Sequence, residues 1–417
     1  MSGKRWRTAR LGDKDIARTA SGGTPDRSSV SNFGGDLPWV KSGELADNVI
    51  TDTEERLTQS GLENSSAKLF PAGTLLLAMY GATAGRTGIL GIEASTNQAV
   101  CAIFPVGNSF DSRFLQFQLV YIRPRLLSAR SGGAQPNISQ RVIATLEVVL
   151  PPLDEQLAIA RALEAVRHAK EARQHELTLE RERKVALMEY LFTRGTRGVS
   201  SKQTEVGEIP QNWRVLPLTQ AFETQLGKML SQKARTGKTP KPYLRNANVQ
   251  WGRVNLSDLY EMDFTSEEQK KFSLRYDDLL VCEGGEIGRA AIWREEMSGC
   301  YFQKAIHRLR PRSGEILPHF LLFWMEWAFR FANIYGVTGT KTTIAHLPQD
   351  KLEQIKIPTP NKDEQAEAVE ALDRCDSKIA SVEKEIQILD ELFRAMLEGL
   401  MTGRLSGLPL VEEYQAR

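Results

Sequence analysis

PPLDEQLAIARALEAVRHAKEARQHELTLERERKVALMEYLFT, residues 151–193, and PNKDEQAEAVEALDRCDSKIASVEKEIQILDELFRAMLEGLMT, residues 360–402, are two versions of one segment. Asp-Glu-Gln occurs at 154–156 and again at 363–365, and Leu191-Phe192-Thr193 answers Leu400-Met401-Thr402, all at an offset of 209 residues. In the second copy Leu372, Cys375, Ile379, Val382, Ile386, Leu389, Phe393, Met396 and Leu400 alternate by three and four, the a/d seam of a coiled-coil helix. The aligned positions of the first copy are Leu163, Val166, Lys170, Arg173, Leu177, Glu180, Lys184, Leu187 and Leu191, a seam apolar chiefly at its ends. The pattern predicts two long helices, each ~60 Å at 1.5 Å per residue, able to pair antiparallel around a wetter middle. Both start after a proline and an acidic pair, which suit a helix N-terminus and its dipole, so Asp154-Glu155 and Asp363-Glu364 carry no catalytic weight. The apolar seam residues are the candidate helix and subunit interface. Leu163, Val166, Leu187 and Leu191 are expected to lie exposed without a partner.

Working outward, the rest of the chain is duplicated as well. Trp6–Leu11 matches Trp213–Leu218, Leu77–Arg86 matches Leu280–Arg289, Gln98 matches Gln303, and Phe114-Leu115 with Phe117 matches Phe320-Leu321 with Phe323. Offsets drift only between 203 and 209 residues, which marks an internal repeat. The fold class expected is α+β, with two duplicated mixed α/β domains and two long antiparallel coiled-coil helices. The expected boundaries are 1–150 and 213–359 for the domains, 151–195 and 360–403 for the helices, 196–212 for a linker and 404–417 for a tail. Apolar runs at 74–79 and 278–282 read as buried strands, those at 100–104, 146–150, 306–309 and 352–357 as further strands, and 114–122 and 320–333 as packed amphipathic helices.

Bulk properties narrow the class. A net charge of +2 in 417 residues makes no case for nucleic acid by itself, and 25% charged residues predict a soluble chain. The start shows no apolar signal segment, and 320–332 is interrupted by Glu326 and Arg330, so a cytoplasmic protein without a membrane span is expected. Four cysteines without paired spacing read as reduced thiols.

The sequence carries no constellation for bond chemistry. Gly237-Lys238-Thr239 lacks the first glycine and the strand-then-helix setting of a phosphate loop. Gly81–Gly85 and Gly284–Gly288 read as turns with positive φ, each followed by an arginine, Arg86 or Arg289, that could leave the turn toward a partner. Five histidines form no metal-ligand spacing, and there is no Asn-Pro-Pro-Tyr or Asp-Pro-Pro-Tyr string for holding a flipped base. No catalytic residue, metal or cofactor is assigned to this chain. Charge placement says more. Residues 226–253 carry seven basic side chains and no acid, and 120–146 carry four arginines and no acid. A polar string, Ser131 to Ser139, with a counterpart at 337–343, offers the Arg, Lys, Gln, Asn and Ser chemistry that grips phosphates and reads base edges.

At this point the chain resembles the specificity subunits of type I restriction-modification systems. The resemblance is carried by Ser21-Gly-Gly-Thr24-Pro25 with Asp36-Leu-Pro38-Trp39-Val40, by Thr204–Trp213, and by the two helix starts at Pro151 and Pro360. The second half lacks the Gly-Thr-Pro opening, and Leu244-Arg-Asn246-Ala-Asn248 stands in its place. The resemblance implies that each domain recognises one half of a bipartite double-stranded DNA target. It implies that the helices set the spacing and dock two modification subunits carrying S-adenosylmethionine, with ATP- and Mg-dependent restriction subunits joining them. This chain would itself be non-catalytic. The candidate DNA contacts are Lys41, Arg86, Arg130, Gln135, Asn137 and Ser139 in the first half. In the second they are Lys241, Arg245, Arg289, Lys304, Lys341 and Thr342. The rival is a coiled-coil scaffold with two duplicated protein-binding domains, which steep salt dependence of DNA binding would exclude. A nuclease or methyltransferase acting alone is a third reading.

Overall fold

The computed structural model describes residues 6–128, 137–235, 239–335 and 346–415. It divides into two compact units, one of Met1–Arg173 with Glu385–Arg417 and one of Gln174–Lys384.

In the first unit Arg7–Arg10 pairs antiparallel with Glu147–Leu150, tying the beginning of the domain to its close. Between them lies a five-stranded sheet in the order Ala17–Ser21, Val100–Pro105, Leu75–Ala78, Thr87–Leu90, Asn48–Ile50. Its central strands are apolar without alternation because both faces are covered. Leu75, Leu77, Cys101 and Ile103 pack in the core shared with the helix Ser112–Ser128. Leu76, Ala78, Val100 and Ala102 pack on the opposite side with Val40, Leu45, Ile50 and Phe70. A second sheet carries Glu55–Leu57, Phe33–Val40, Ala94–Thr96 and Leu69–Phe70.

The second unit repeats this plan. Arg214–Pro217 pairs with Lys356–Thr359, and a four-stranded sheet runs Phe222–Leu226, Ile306–Pro311, Leu279–Cys282, Ala290–Ile292. Leu279, Val281 and Leu309 face one core while Leu280, Cys282 and Ile306 face the other. A smaller sheet holds Tyr260–Asp263, Pro240–Leu244 and Tyr301–Phe302.

The two long helices are Leu153–Arg194 and Lys362–Met401, and within each unit their segments run antiparallel. In the first unit Ile159 and Leu163 share a core with Leu397, Leu400 and Met401, and Phe117 meets Phe393 at 6.0 Å between ring centroids. In the second, Met188 and Leu191 share a core with Ala368 and Leu372. Val382 is buried, whereas Ile379, Ile386 and Leu389 are half-buried. The wet middle is filled by ion pairs between the helices. Lys170 meets Asp390, and Arg173 lies 3.1 Å from Glu385. Lys378 lies 2.7 Å from Glu176, Arg181 2.7 Å from Glu383 and Lys184 2.7 Å from Asp376. Several of these are well exposed and add little stability, so their main effect is to fix register.

Five expectations need correction. The exposed seam is largely covered: Leu163 and Leu191 are buried, and Val166 and Leu187 are half-buried. The reason is that each helix end serves a domain core, Phe192 for example stacking edge-on against Phe320 and Trp324. The stretch 196–212 is not a bare linker, because Ser201–Thr204 and Gly207–Pro210 form a hairpin that buries Val206 and Ile209. The tail contains a helix, Leu408–Gln415, whose Leu410 packs on the first unit's core. Finally, 352–357 is the end of a helix, Gln349–Gln354, followed by the strand Lys356–Thr359, and 320–333 divides into Pro318–Met325 and a wider π turn, Glu326–Phe331. Among the described residues no helix is long and apolar enough to cross a membrane.

Candidate nucleic-acid interface

Each unit presents the same corner. The strand Phe33–Val40 ends at Lys41 and turns through Ser42–Glu44; Pro240–Leu244 ends at Arg245 and turns through Asn246–Asn248. In both, the backbone N–H of the basic residue donates to the side chain three positions on, Lys41 to Glu44 Oε1 at 2.8 Å and Arg245 to Asn248 Oδ1 at 2.8 Å. Both strands end in a parallel pairing, Trp39-Val40 with Ser95-Thr96 and Tyr243-Leu244 with Tyr301-Phe302. The chain then turns through Asn97-Gln98 or Gln303-Lys304, where the Asn97 and Gln303 N–H groups donate to the carbonyls of Val40 and Leu244. Lys41 and Arg245 are therefore structural equivalents. The sequence held one sign of this, a basic residue followed by small polar ones after an apolar strand end.

The opening motif of the first half converges here too. The Trp39 indole donates to the Gly23 carbonyl at 3.0 Å, and Thr24 meets Gln98. A Cβ on Gly22 would fall 2.1 Å from the Thr96 carbonyl oxygen, so only glycine passes.

The glycine loops flank this corner. Ala78 and Arg86 close the first loop through Ala78 N–H to Arg86 O at 2.8 Å, and Cys282 and Arg289 close the second the same way at 2.8 Å. Gly85 and Gly288 have φ of +81° and +74°, as expected for turns, and a Cβ on Gly288 would strike the Phe329 ring at 2.5 Å. The two arginines differ. Arg86 is half exposed and holds Asp47 Oδ2 at 3.0 Å with one nitrogen, leaving other donors outward. Arg289 does not leave its turn as expected; it is 16% exposed and folds back to donate to the Asn246 carbonyl at 2.8 Å.

Four of the six charged candidates among the described residues, Lys41, Arg86, Arg245 and Arg289, have an acidic neighbour. Lys41 Nζ lies 2.7 Å from Glu54 and 3.1 Å from Glu55, and hydrogen bonds to these two carboxylates hold its ammonium above the usual lysine range. Arg245 lies 2.6 Å from Asp258 Oδ2, with its guanidinium 3.6 Å from the Tyr260 ring centre. Within the basic stretch, Lys228 turns inward to Glu268 and the Asp263 carbonyl, both at 2.6 Å. Lys304 is exposed and Lys241 half-buried, neither with a charged partner among the described residues. Asn137 is exposed, whereas the Ser139 hydroxyl caps the helix Gln140–Thr145 by accepting from Val142 N–H at 3.3 Å. Gln140 also donates to Ser21. Arg130, Gln135, Lys341 and Thr342 lie outside the described residues. The arrangement offers each unit a corner of outward polar groups and cations already neutralised in part by carboxylates.

Comparison with known proteins places these features in context. A family model for the type I restriction modification DNA specificity domain matches residues 4–180 and 210–391. The MjaVIII type I restriction enzyme specificity subunit of Methanocaldococcus jannaschii is 23% identical over 409 residues, covering 96% of this chain and 93% of that one. The EcoBI specificity subunit of Escherichia coli is 25% identical over 359 residues, covering 78% and 75%. Among solved structures, the type I S subunit from M. genitalium superposes with a TM-score of 0.61 at 15% identity, covering 96% of this chain and 97% of that one. A chain from a study of type I complex assembly and conformational transition superposes with a TM-score of 0.61 at 16% identity, covering 96% and 99%.

Proposed function

The chain belongs to the type I restriction-modification DNA specificity family, and from that premise we propose that it is the sequence-recognition subunit of such a complex. Each unit recognises one half of a bipartite double-stranded DNA target. The long helices set the number of base pairs between the halves and carry two modification subunits, with restriction subunits joining that core. S-adenosylmethionine and ATP with Mg²⁺ belong to those partners, and the present chain contributes recognition without bond chemistry in the cytoplasm.

The observation that supports this reading best is the duplicated corner. Lys41 and Arg245 occupy one structural position, Arg86 and Arg289 another, and the residues around them differ between the halves. A shared scaffold with different side chains is what two readers of unlike half-sites require. Most of the Arg and Lys side chains would hold phosphates and fix register, while Gln and Asn side chains, and an outward arginine such as Arg86, would supply base discrimination.

The test is co-expression with the neighbouring modification subunit, followed by sequencing of methylated adenines in host DNA. Two short half-sites around a fixed gap are expected. Replacing residues 1–150 by the corresponding domain of a relative should change one half-site alone. Co-purification of the partner without any split methylation motif would instead favour a scaffold with two protein-binding domains.

A further inference from the structure

We propose that Asp47 is a positioning residue that locks the first glycine loop and Arg86 to the first long helix, and thereby sets the sequence preference of one DNA half-site. The inference rests on the reading above and concerns the first unit alone.

Asp47 is the meeting point of three chain segments. Its backbone N–H donates to the Thr87 carbonyl at 2.8 Å. Its Oδ1 accepts from Thr87 N–H at 3.0 Å, from the Thr87 hydroxyl at 2.9 Å and from Arg123. Its Oδ2 accepts from Arg86 at 3.0 Å. Arg123, from the helix Ser112–Ser128, also donates to the Gly85 carbonyl at 2.7 Å, gripping the loop from the other side. The Asp47 carbonyl in turn accepts from Arg167 of the long helix at 3.0 Å. One residue thus holds the loop, the domain helix and the spacer helix together.

The backbone conformation agrees with such a role. Asp47 has φ of +64°, a region that L residues adopt at a cost unless their surroundings impose it. Burial by itself would push its carboxyl up, but the charge and hydrogen bond of Arg123, with the bonds from Thr87, hold it below the usual carboxylate range. It stays an anion at neutral pH. Two guanidiniums share that one carboxylate, so the cluster of Asp47, Arg86 and Arg123 is net positive, and the half-exposed Arg86 holds that charge at the surface.

The second unit makes the same connection with other residues. Gly252 stands where Asp47 does, since its N–H donates to the Ala290 carbonyl at 3.0 Å and its φ is +70°. Beside it, the Trp251 indole donates to Glu286 of the second glycine loop at 2.6 Å. Glu286 neighbours Arg330 at 4.0 Å, Arg330 pairs with Glu326 at 3.2 Å, and Glu326 reaches Lys184 of the long helix at 2.9 Å. Two different sets of side chains building one link argues that the link is used.

The experiment employs the full chain in complex with its modification subunit, with adenine methylation sequenced across host DNA for wild type, Asp47→Asn, Arg86→Ala, the double variant and Arg167→Gln. Wild type defines the two half-sites. Asp47→Asn is expected to raise methylation of sites altered in one half-site by about tenfold relative to the intended site, with the other half-site unchanged. The double variant should be no more relaxed than Arg86→Ala alone, and Arg167→Gln should relax the same half-site to a smaller degree. Additive effects of Asp47→Asn and Arg86→Ala, equal relaxation of both half-sites, or full discrimination by Asp47→Asn in an assembled complex would each overturn the proposal. Should Asp47→Asn fail to assemble, Arg167→Gln decides, since it leaves the pairs of Asp47 with Arg86, Arg123 and Thr87 in place; unchanged discrimination there overturns it as well. Absence of a split motif in the wild type is a separate result, and it counts against the DNA-specificity reading itself.

Discussion

Lys184 is a buried charge on which the stability of the second unit depends. Its side chain is only 12% exposed, its ammonium lies 2.9 Å from Glu326 and 2.7 Å from Asp376, and the Phe323 ring sits 5.2 Å away. Burial by itself would lower its pKa, but Glu326 and Asp376 together raise it, so it is charged at neutral pH. Lys184→Met keeps the stem's packing and removes the cation. Breaking a buried pair costs about 3–5 kcal/mol when the remaining charge is stranded. Here the stranded group is Glu326, 9% exposed, which keeps Arg330 at 3.2 Å, while Asp376, 40% exposed, rehydrates. The expected loss is therefore lower, about 2–3 kcal/mol. Urea unfolding followed by tryptophan emission measures it, because Trp213, Trp251, Trp293, Trp324 and Trp327 all belong to this unit. Adding Glu326→Gln to Lys184→Met should recover more than half of the loss, since no buried charge is then left unpaired. A Lys184→Met midpoint equal to wild type, or a double variant whose loss is the sum of the singles, refutes the reasoning.

Three further outcomes follow from features already described. Lys304, exposed and without a charged partner among the described residues, is the side chain suited to a phosphate: Lys304→Ala in the assembled complex should lower the slope of log affinity for duplex DNA against log salt by about 0.9, and an unchanged slope removes it from the interface. His307 is fully buried and bonded through Nε2 to the Leu347 carbonyl at 2.9 Å, and burial pushes its pKa below the ordinary 6.5. The unfolded chain then binds a proton that the folded one does not, so stability falls as pH drops through and below 6.5, and His307→Gln should flatten that part of a stability-against-pH curve. Burial pushes the thiols of Cys101 and Cys300 up to about 12 and that of Cys282 to about 11, and Cys375 is buried too. A disulfide reagent at pH 8 should therefore react slowly with the native chain and at once with all four thiols in urea; fast native labelling would contradict the cores as described.

Much of the architecture was legible because it is written twice. The long helices could be placed to within two residues, since Pro, Asp and Glu mark their starts and a three-and-four spacing marks their faces. The strands at 75–78 and 279–282 were legible as buried strands from their unbroken apolar runs, but what covers each face was not, because that needs the second sheet. The hairpin at 201–210 was missed because Ser201–Thr204 and Gly207–Pro210 carry almost no apolar pattern, and only Val206 and Ile209 anchor it. Charge was harder still. The run of seven basic residues in 226–253 looked uncompensated because its acids, Asp258 and Glu268, lie just beyond it in sequence and return through a strand and a helix. Asp47 gave no signal at all. Its partners at 86, 87, 123 and 167 are distant in the chain, and only folding brings them to it.

The division of the two units has a consequence for the order in which they can be made. The second unit is one continuous stretch, 174–384, and holds everything it needs when that stretch has left the ribosome. The first unit is split. Its core requires Leu397, Leu400 and Met401, and Gly407 N–H donates to Glu155 at 3.1 Å at the start of the first long helix. Domains generally fold in the order they are synthesised; here the domain made first is completed last. Until residues 385–410 arrive, the part of the core that Ile159 and Leu163 share with Leu397, Leu400 and Met401 stays open on the nascent chain, which makes the interval between translation of 174 and of 410 the period in which a chaperone has most to protect.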